Sequence, residues 1–244
     1  MTSALSVDLP SRTSTVRAVC LDIDDTLVDY GRTARTVLAA TCGRDDAWAL
    51  WERNNKVQFA RLLAGEIDYD TMRRERLRAF FADLGEWISP EEAAEREARR
   101  MAAMERSWCL FEDALPCLEW LRAAGLRIAA ITNASGVHQR VKLASLGLAE
   151  YFDTVVVAGE VRVAKPDPVI FHTACAALGV PPEDVVHVGD RLDLDALGAR
   201  NAGLRGVWLN RTGEVASVPP DVPVISSLSE LPELLVCELV LQGA

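Results

Sequence analysis

Residues 16–30 read VRAVCLDIDDTLVDY. The run opens apolar, with β-branched valines, is too short for a helix, and stops abruptly at carboxylates. A stretch of that length and composition is a buried strand, and Asp22, Asp24 and Asp25 mark where it leaves the interior. Similar runs recur at residues 126–132 (LRIAAIT), 154–157 (TVVV), 185–190 (VVHVGD) and 204–209 (LRGVWL). Helical patterns lie between them. One covers residues 113–124, with Pro116 in its first turn and Gly125 past its end. In another, Asp167 is placed as N-cap, Pro168 takes the first helical position and Gly179 stops the helix. Residues 135–146 and 194–202 complete the alternation. Strands alternating with helices imply an α/β fold, a Rossmann-like parallel sheet covered on both faces.

Residues 32–107 break that alternation. They contain no convincing strand, and apolar residues fall at helical spacing over 48–63, over 69–84 and from Pro90 onward. Gly65 and Gly85 punctuate these helices, and Ser89 with Glu92 forms a capping box. The segment is too long for one crossover, so residues 32–107 are expected to form an inserted all-helical domain. Residues 1–31 and 108–244 then form the core. The Arg/Glu-rich stretch 91–106 reads as a solvated helix face.

Half of the chain is apolar and a quarter charged, with a net charge of -10. That balance argues against nucleic acid or an anionic membrane as partner. A small anionic substrate stays compatible, because a metal ion and a few lysines reverse the field within one cleft. The six cysteines have no CxxC spacing and read as buried thiols of a reducing compartment. The Ser/Thr-rich first fifteen residues lack an apolar signal core. No apolar run reaches the roughly 18 residues of a membrane span. A soluble cytoplasmic protein is expected, its oligomeric state left open.

In open parallel sheets, ligands bind at the carboxyl ends of the strands. Those ends carry Asp22 and Asp24 after the first strand, Thr132 and Asn133 after the second, and Asp190 after the fourth. Lys165 falls in the connection after the third. Several carboxylates on one rim repel one another unless a cation sits between them. Mg²⁺ suits that task, being hard, oxygen-loving and content with one or two carboxylates plus a substrate phosphate. No Cys/His cluster suggests zinc, and His187, inside VVHVGD, reads as a strand residue. Metal, lysine and adjacent hydrogen-bond donors together suit a phosphoryl group.

Asp22-Ile23-Asp24-Asp25-Thr26 resembles the DxDxT motif that opens haloacid dehalogenase superfamily enzymes. Ile131-Thr132-Asn133 looks like their second motif and Lys165-Pro166-Asp167-Pro168 their third. Gly189-Asp190-Arg191-Leu192-Asp193-Leu194-Asp195 looks like the fourth, GDxxxxD. The inserted segment is placed like the family's helical C1 cap. The resemblance implies a Mg²⁺-dependent phosphohydrolase in which Asp22 is the nucleophile, forming an aspartyl-phosphate. Asp24 is then general acid and later general base, its backbone carbonyl a metal ligand. Thr132 and the Asn133 backbone N–H hold the phosphate, and Lys165 neutralises the nucleophile and the transferring group. Asp190 holds the metal, with Asp195 a ligand directly or through water and Asp193 close enough to share the work. Asp25 and Thr26 are expected to secure the turn through side-chain to backbone bonds.

Other readings stay open. A phosphomutase keeps both acids and must exclude water. A 2-haloacid dehalogenase lacks the second acid, present here as Asp24. A non-catalytic phosphate-binding protein would be free to lose either carboxylate. Residues 48–67 and 70–81 resemble, in outline, the cap of a branch holding pyrimidine nucleotidases and N-acylneuraminate-9-phosphatases. The implied substrate is a small phosphorylated metabolite, a nucleoside monophosphate or a sugar phosphate. Asn54, Asn55, Arg61 and Arg74 are candidate contacts to it, although each also reads as a solvated helix position. Trp48, Trp51 and Phe59 read as cap interior rather than a stacking platform. The connections near Gly31 and across 107–111 are expected to hinge the insert.

Overall fold

The computed structural model describes residues 15–134 and 136–241. The first strand, β1 (Ala18–Leu21), is followed by four helices, α1 (Tyr30–Cys42), α2 (Trp48–Leu63), α3 (Tyr69–Asp83) and α4 (Pro90–Ser107). The chain then alternates through α5 (Ala114–Ala123), β2 (Arg127–Thr132), α6 (Gly136–Ser145), β3 (Thr154–Val157), α7 (Ala158–Val161), α8 (Pro168–Leu178) and β4 (Val185–Gly189). A π-helical turn, Leu192–Ala196, runs into α9 (Leu197–Asn201), and β5 (Arg205–Leu209), β6 (Val224–Ile225) and α10 (Leu231–Leu241) close the fold. The expected α/β class holds. All six strands are parallel, in the order β3-β2-β1-β4-β5-β6, with β1 paired to β2 and to β4.

Alternation along the strands builds two interiors. Val19 and Leu21 join Ile128, Ala130, Val186, Val188 and Leu209 on the face covered by α5 and α10. Ala18 and Cys20 join Ala129, Ile131 and Val185 beneath α8 and α9. Asp167 caps α8 by accepting from the Val169 N–H at 2.9 Å, and Gly179 ends it at φ 65°, as their residue types lead one to expect. β6 is an element the sequence hid. It is two residues long, preceded by Pro223, and its pairing at the sheet edge makes it a strand.

The four-helix segment has its own interior, in which Trp51, Leu77, Phe80 and Phe81 pack with Leu38 and Ile88. The chain leaves and re-enters the sheet region at one place. Val28 bridges Leu110, the Asp29 N–H bonds the Cys109 carbonyl at 3.0 Å, and the Phe111 N–H bonds the Leu27 carbonyl at 3.0 Å. Asp25, at φ 62°, accepts from the Gly31 N–H at 2.7 Å, as expected of a turn-securing residue. Thr26 departs from that expectation: its hydroxyl is buried without a partner, and its carbonyl accepts from Arg211 at 2.8 Å. The stretch 91–106 is also not simply a solvated face, since Glu97, Arg100 and Met104 are buried against α3 and α1. Cys20, Cys117 and Cys175 are buried free thiols, whereas Cys237 is an exposed one.

Candidate active site

The parallel register sets the ends of β1, β2 and β4 side by side, and three of the predicted residues meet there at once. Lys165, in the connection after α7, is buried and donates to Asp22 Oδ1 at 2.6 Å, Asp195 Oδ1 at 2.6 Å and the Ile131 carbonyl at 2.8 Å. Burial opposes its charge, but Asp195 and Asp22 outweigh burial and hold the ammonium above the usual lysine range. Asn133 fastens the same segment. Its Oδ1 accepts from the Lys165 N–H at 2.8 Å and its Nδ2 donates to the Lys165 carbonyl at 2.9 Å. Thr132, the last residue of β2, keeps its hydroxyl within 3.3 Å of Gln139 Nε2.

Carboxylate oxygens of Asp22, Asp190 and Asp195 lie within 4.8 Å of one another. Burial pushes Asp22 above the usual carboxylate range despite Lys165, and burial followed by Asp22 and Asp195 pushes Asp190 up as well. Asp195 goes the other way. Burial works against its charge, but Lys165 and His187 outweigh it and hold the carboxyl low. A hard divalent cation fits this donor set, all oxygen and carrying more negative charge than one lysine balances.

The π-helical turn decides which acid of Asp193 and Asp195 turns inward. Asp195 is 1% exposed and also accepts from His187 at 3.0 Å and from the Arg191 N–H at 3.0 Å. Asp193 points outward to Arg191 and lies outside the acidic group. Gly189 is required here, because a Cβ on it would run into the Asp195 carboxyl group. His187, read as a plain strand residue, is indeed buried in β4, but it also orients Asp195.

Asp24 faces the other way, across the cleft. Its carboxylate is 2.5 Å from Lys142 Nζ and 3.4 Å from Gln139 Nε2, both on α6. Sequence reasoning missed this pair. The signal available was an inverted helix face, with Val137 and Val141 exposed while Gln139 and Lys142 are buried. The Lys142 ammonium also sits 4.7 Å from the Tyr30 ring centroid and 5.5 Å from that of Trp108, at the two ends of the helical segment.

The family model of haloacid dehalogenase-like hydrolases matches residues 16–203. The chain belongs to that family. This haloacid dehalogenase-like hydrolase is 36% identical over 173 residues to the phosphoserine phosphatase of Thermus thermophilus, covering 71% of this chain and 67% of that one. It is 44% identical over 129 residues to the N-acylneuraminate-9-phosphatase of Homo sapiens, covering 52% of each, so it spans about half the length of that relative. Among solved structures, the HAD-hydrolase YfnB of Bacillus subtilis, bound to magnesium, shares the fold with a TM-score of 0.76 at 21% identity, over 91% of this chain and 99% of that one. The 2-haloacid dehalogenase of Pseudomonas syringae pv. Tomato superposes with a TM-score of 0.68 at 26% identity, over 91% and 99%.

In this hydrolase the strand ends open into a cleft of about 830 Å³ between the sheet and the helical segment. Asp24, Asn133, Lys142 and Lys165 line it on one side, and Asn55, Phe59, Arg76 and Arg100 on the other. Of the four candidate contacts on the insert, only Asn55 lines the cleft. Asn54 is buried against Asp83 and the Leu50 carbonyl, Arg61 pairs with Glu66 and Gln58, and Arg74 bonds the first turn of its own helix. Trp51 is interior, as expected, while Phe59 packs toward the sheet domain and faces the cleft. No helix among the described residues is long and apolar enough to cross a membrane.

Proposed function

We propose that the protein is a Mg²⁺-dependent phosphomonoesterase for small phosphorylated metabolites, of nucleoside monophosphate or sugar phosphate type. In this reading, residues 32–107 act as a cap over a core formed by 1–31 and 108–244. The observation that carries it is the sharing of one buried ammonium, Lys165, between Asp22 and Asp195 at the carboxyl ends of the strands. That contact keeps a nucleophile oriented and a positive charge where transferring phosphoryl oxygens would lie. The phosphatase names of the relatives from Thermus thermophilus and Homo sapiens support the coarser reading, a small phosphorylated substrate.

Asp22 attacks phosphorus while the bond to the leaving oxygen breaks, and Asp24 delivers the proton that oxygen needs. Asp24 next takes a proton from water as the water oxygen attacks phosphorus, releasing inorganic phosphate and restoring Asp22. Lys142 and Gln139 keep the Asp24 carboxyl group over the cleft, on the leaving-group side. Thr132 and the Asn133 N–H take phosphoryl oxygens. Asp22, Asp190, Asp195 and the Asp24 carbonyl would hold Mg²⁺, which supplies charge stabilisation for the transferring group when bound. Asp24 also separates this reading from dehalogenation, which has no basic leaving group to protonate.

The test is hydrolysis of p-nitrophenyl phosphate and a panel of phosphometabolites, with Mg²⁺, with excess EDTA, and with Asp22→Asn in place of the wild type. Phosphate release that needs metal and falls by about 10³-fold or more in the variant is expected. Release that persists in Asp22→Asn would remove Asp22 from the mechanism.

A further inference from the structure

The helical segment buries a second charge cluster that phosphoryl transfer does not use. Glu97, on α4, accepts from Arg73 Nε at 3.0 Å, from Arg76 Nη2 at 2.9 Å, and from Arg100 Nε and Nη2, both at 2.7 Å. All four side chains are at least nine-tenths buried. One carboxylate neutralises one of the three guanidinium groups, so the cluster leaves two positive charges unmatched within itself.

The remaining partners do not repair it. Asn55 accepts from Arg76 Nη1 at 2.7 Å, His138 lies 2.7 Å from Arg73 Nη1, and Asp70 is 3.9 Å from Arg73 with its own side chain exposed. The Trp51 ring lies 4.3 Å from the Arg76 guanidinium and 4.8 Å from that of Arg100. Arg76 Nε is buried with no partner at all. A cluster that served only to fasten α3 to α4 would be cheaper with a single Arg–Glu pair, because unmatched buried charge costs stability.

Arg76 and Arg100 line the same cleft as Asp24 and Lys165. Tyr30 and Lys142 are also on the lining, and the cleft, at about 830 Å³, has room for one small molecule between the arginines and the strand ends. The other acids on that lining do not answer the arginines: Asp24 is matched by Lys142, Asp193 by Arg191, and Glu52 is exposed. Guanidinium groups favour planar, two-oxygen acceptors.

We propose that the substrate is a phosphomonoester bearing a carboxylate, and that Arg76 and Arg100 receive that carboxylate while the strand ends hold the phosphoryl group. That the substrate is a phosphomonoester rests on the phosphatase reading, which the carboxylate narrows to phosphorylated acids and away from nucleoside monophosphates. The test compares kcat/KM for matched pairs differing in the carboxylate, 3-phosphoglycerate against glycerol 3-phosphate and phosphoglycolate against ethyl phosphate. Propane-1,3-diol bisphosphate tests a second phosphate instead. Binding of the same compounds to Asp22→Asn, followed by calorimetry with Mg²⁺, provides a readout that needs no turnover.

The wild type is expected to favour the carboxylated member by about 10-fold or more, the size of a charge-assisted hydrogen bond. In Arg76→Gln and Arg100→Gln the preference should shrink toward one. A purely structural cluster would lower both members of a pair equally and leave the ratio intact. A wild-type ratio near one, a bisphosphate preferred to every carboxylate, or a ratio surviving in both variants would overturn the proposal. Carboxylate-selective binding that Arg76→Gln and Arg100→Gln abolish, without hydrolysis of any ester, would sink the phosphatase reading and uphold the arginine pair as a carboxylate site.

Discussion

Two buried clusters of opposite sign face one cleft. At the strand ends a single ammonium, Lys165, sits among Asp22, Asp190 and Asp195; between α3 and α4 a single carboxylate, Glu97, sits among Arg73, Arg76 and Arg100. Their construction differs. The acidic group is assembled from three distant stretches of chain, each fixed by the sheet or by a loop fastened to it. The basic group comes from two helices, with residues spaced three apart on each. Burying charge costs a fold stability, most of all where the charge is unmatched, so an imbalance kept in both places is consistent with positions reserved for an incoming ion of the missing sign.

The largest effect should come from the acidic side. Lys165→Met leaves Asp22 and Asp195 facing each other without their cation. Phosphoester turnover should then fall by about 10³-fold, and steady-state kinetics with Mg²⁺ would check it. A loss of less than tenfold would mean that the lysine is structural and that the comparison fails on that side. On the basic side, Glu97→Gln leaves three guanidinium groups buried with no anion. A loss of about 3–5 kcal/mol in urea unfolding is expected. A neutral substitution would show that water or relaxation already relieves the arginines.

Acid should act on the same residue. Burial alone would raise Glu97, but Arg100, Arg76 and Arg73 outweigh it and bring it from 4.5 down to about 2. A depressed carboxyl contributes stability in full above its unfolded value, and that contribution is lost as pH falls through its folded one. Unfolding titrations should therefore show a loss of up to about 3 kcal/mol between roughly pH 4.5 and pH 2. That part of the acid dependence should be missing from Glu97→Gln. An identical acid profile in both proteins would place the sensitivity elsewhere.

The acidic cluster was largely legible and the basic one was not, and the reason is physical. Strand ends are marked by an abrupt change from apolar to polar residues, so Asp22, Thr132 and Asp190 each announce where they stand, while Lys165, in a connection, was placed by the Lys165-Pro166-Asp167-Pro168 resemblance. Helical arginines and glutamates carry no such mark. Arg73, Arg76, Glu97 and Arg100 look like any solvated face until α3 and α4 are packed together. Gln139 and Lys142 escaped notice in the same way, and the π-helical turn that sorts Asp195 from Asp193 depends on tertiary contacts at Gly189. β6 was too short to show any period, and α1 has its apolar residues mixed with threonine and arginine.

The joint at Val28 and Leu110 carries a consequence for how such a chain can be altered. It is stitched by main-chain groups of Leu27, Asp29, Cys109 and Phe111, which any residue except proline can supply. The splice therefore depends little on what lies beyond Gly31 and before Trp108, and that stretch is replaceable cargo. Grafting a foreign helical block between Gly31 and Trp108 would keep the joint, the Gly31 N–H on Asp25 and both rings beside Lys142, and would exchange the arginine-lined ceiling for a new one.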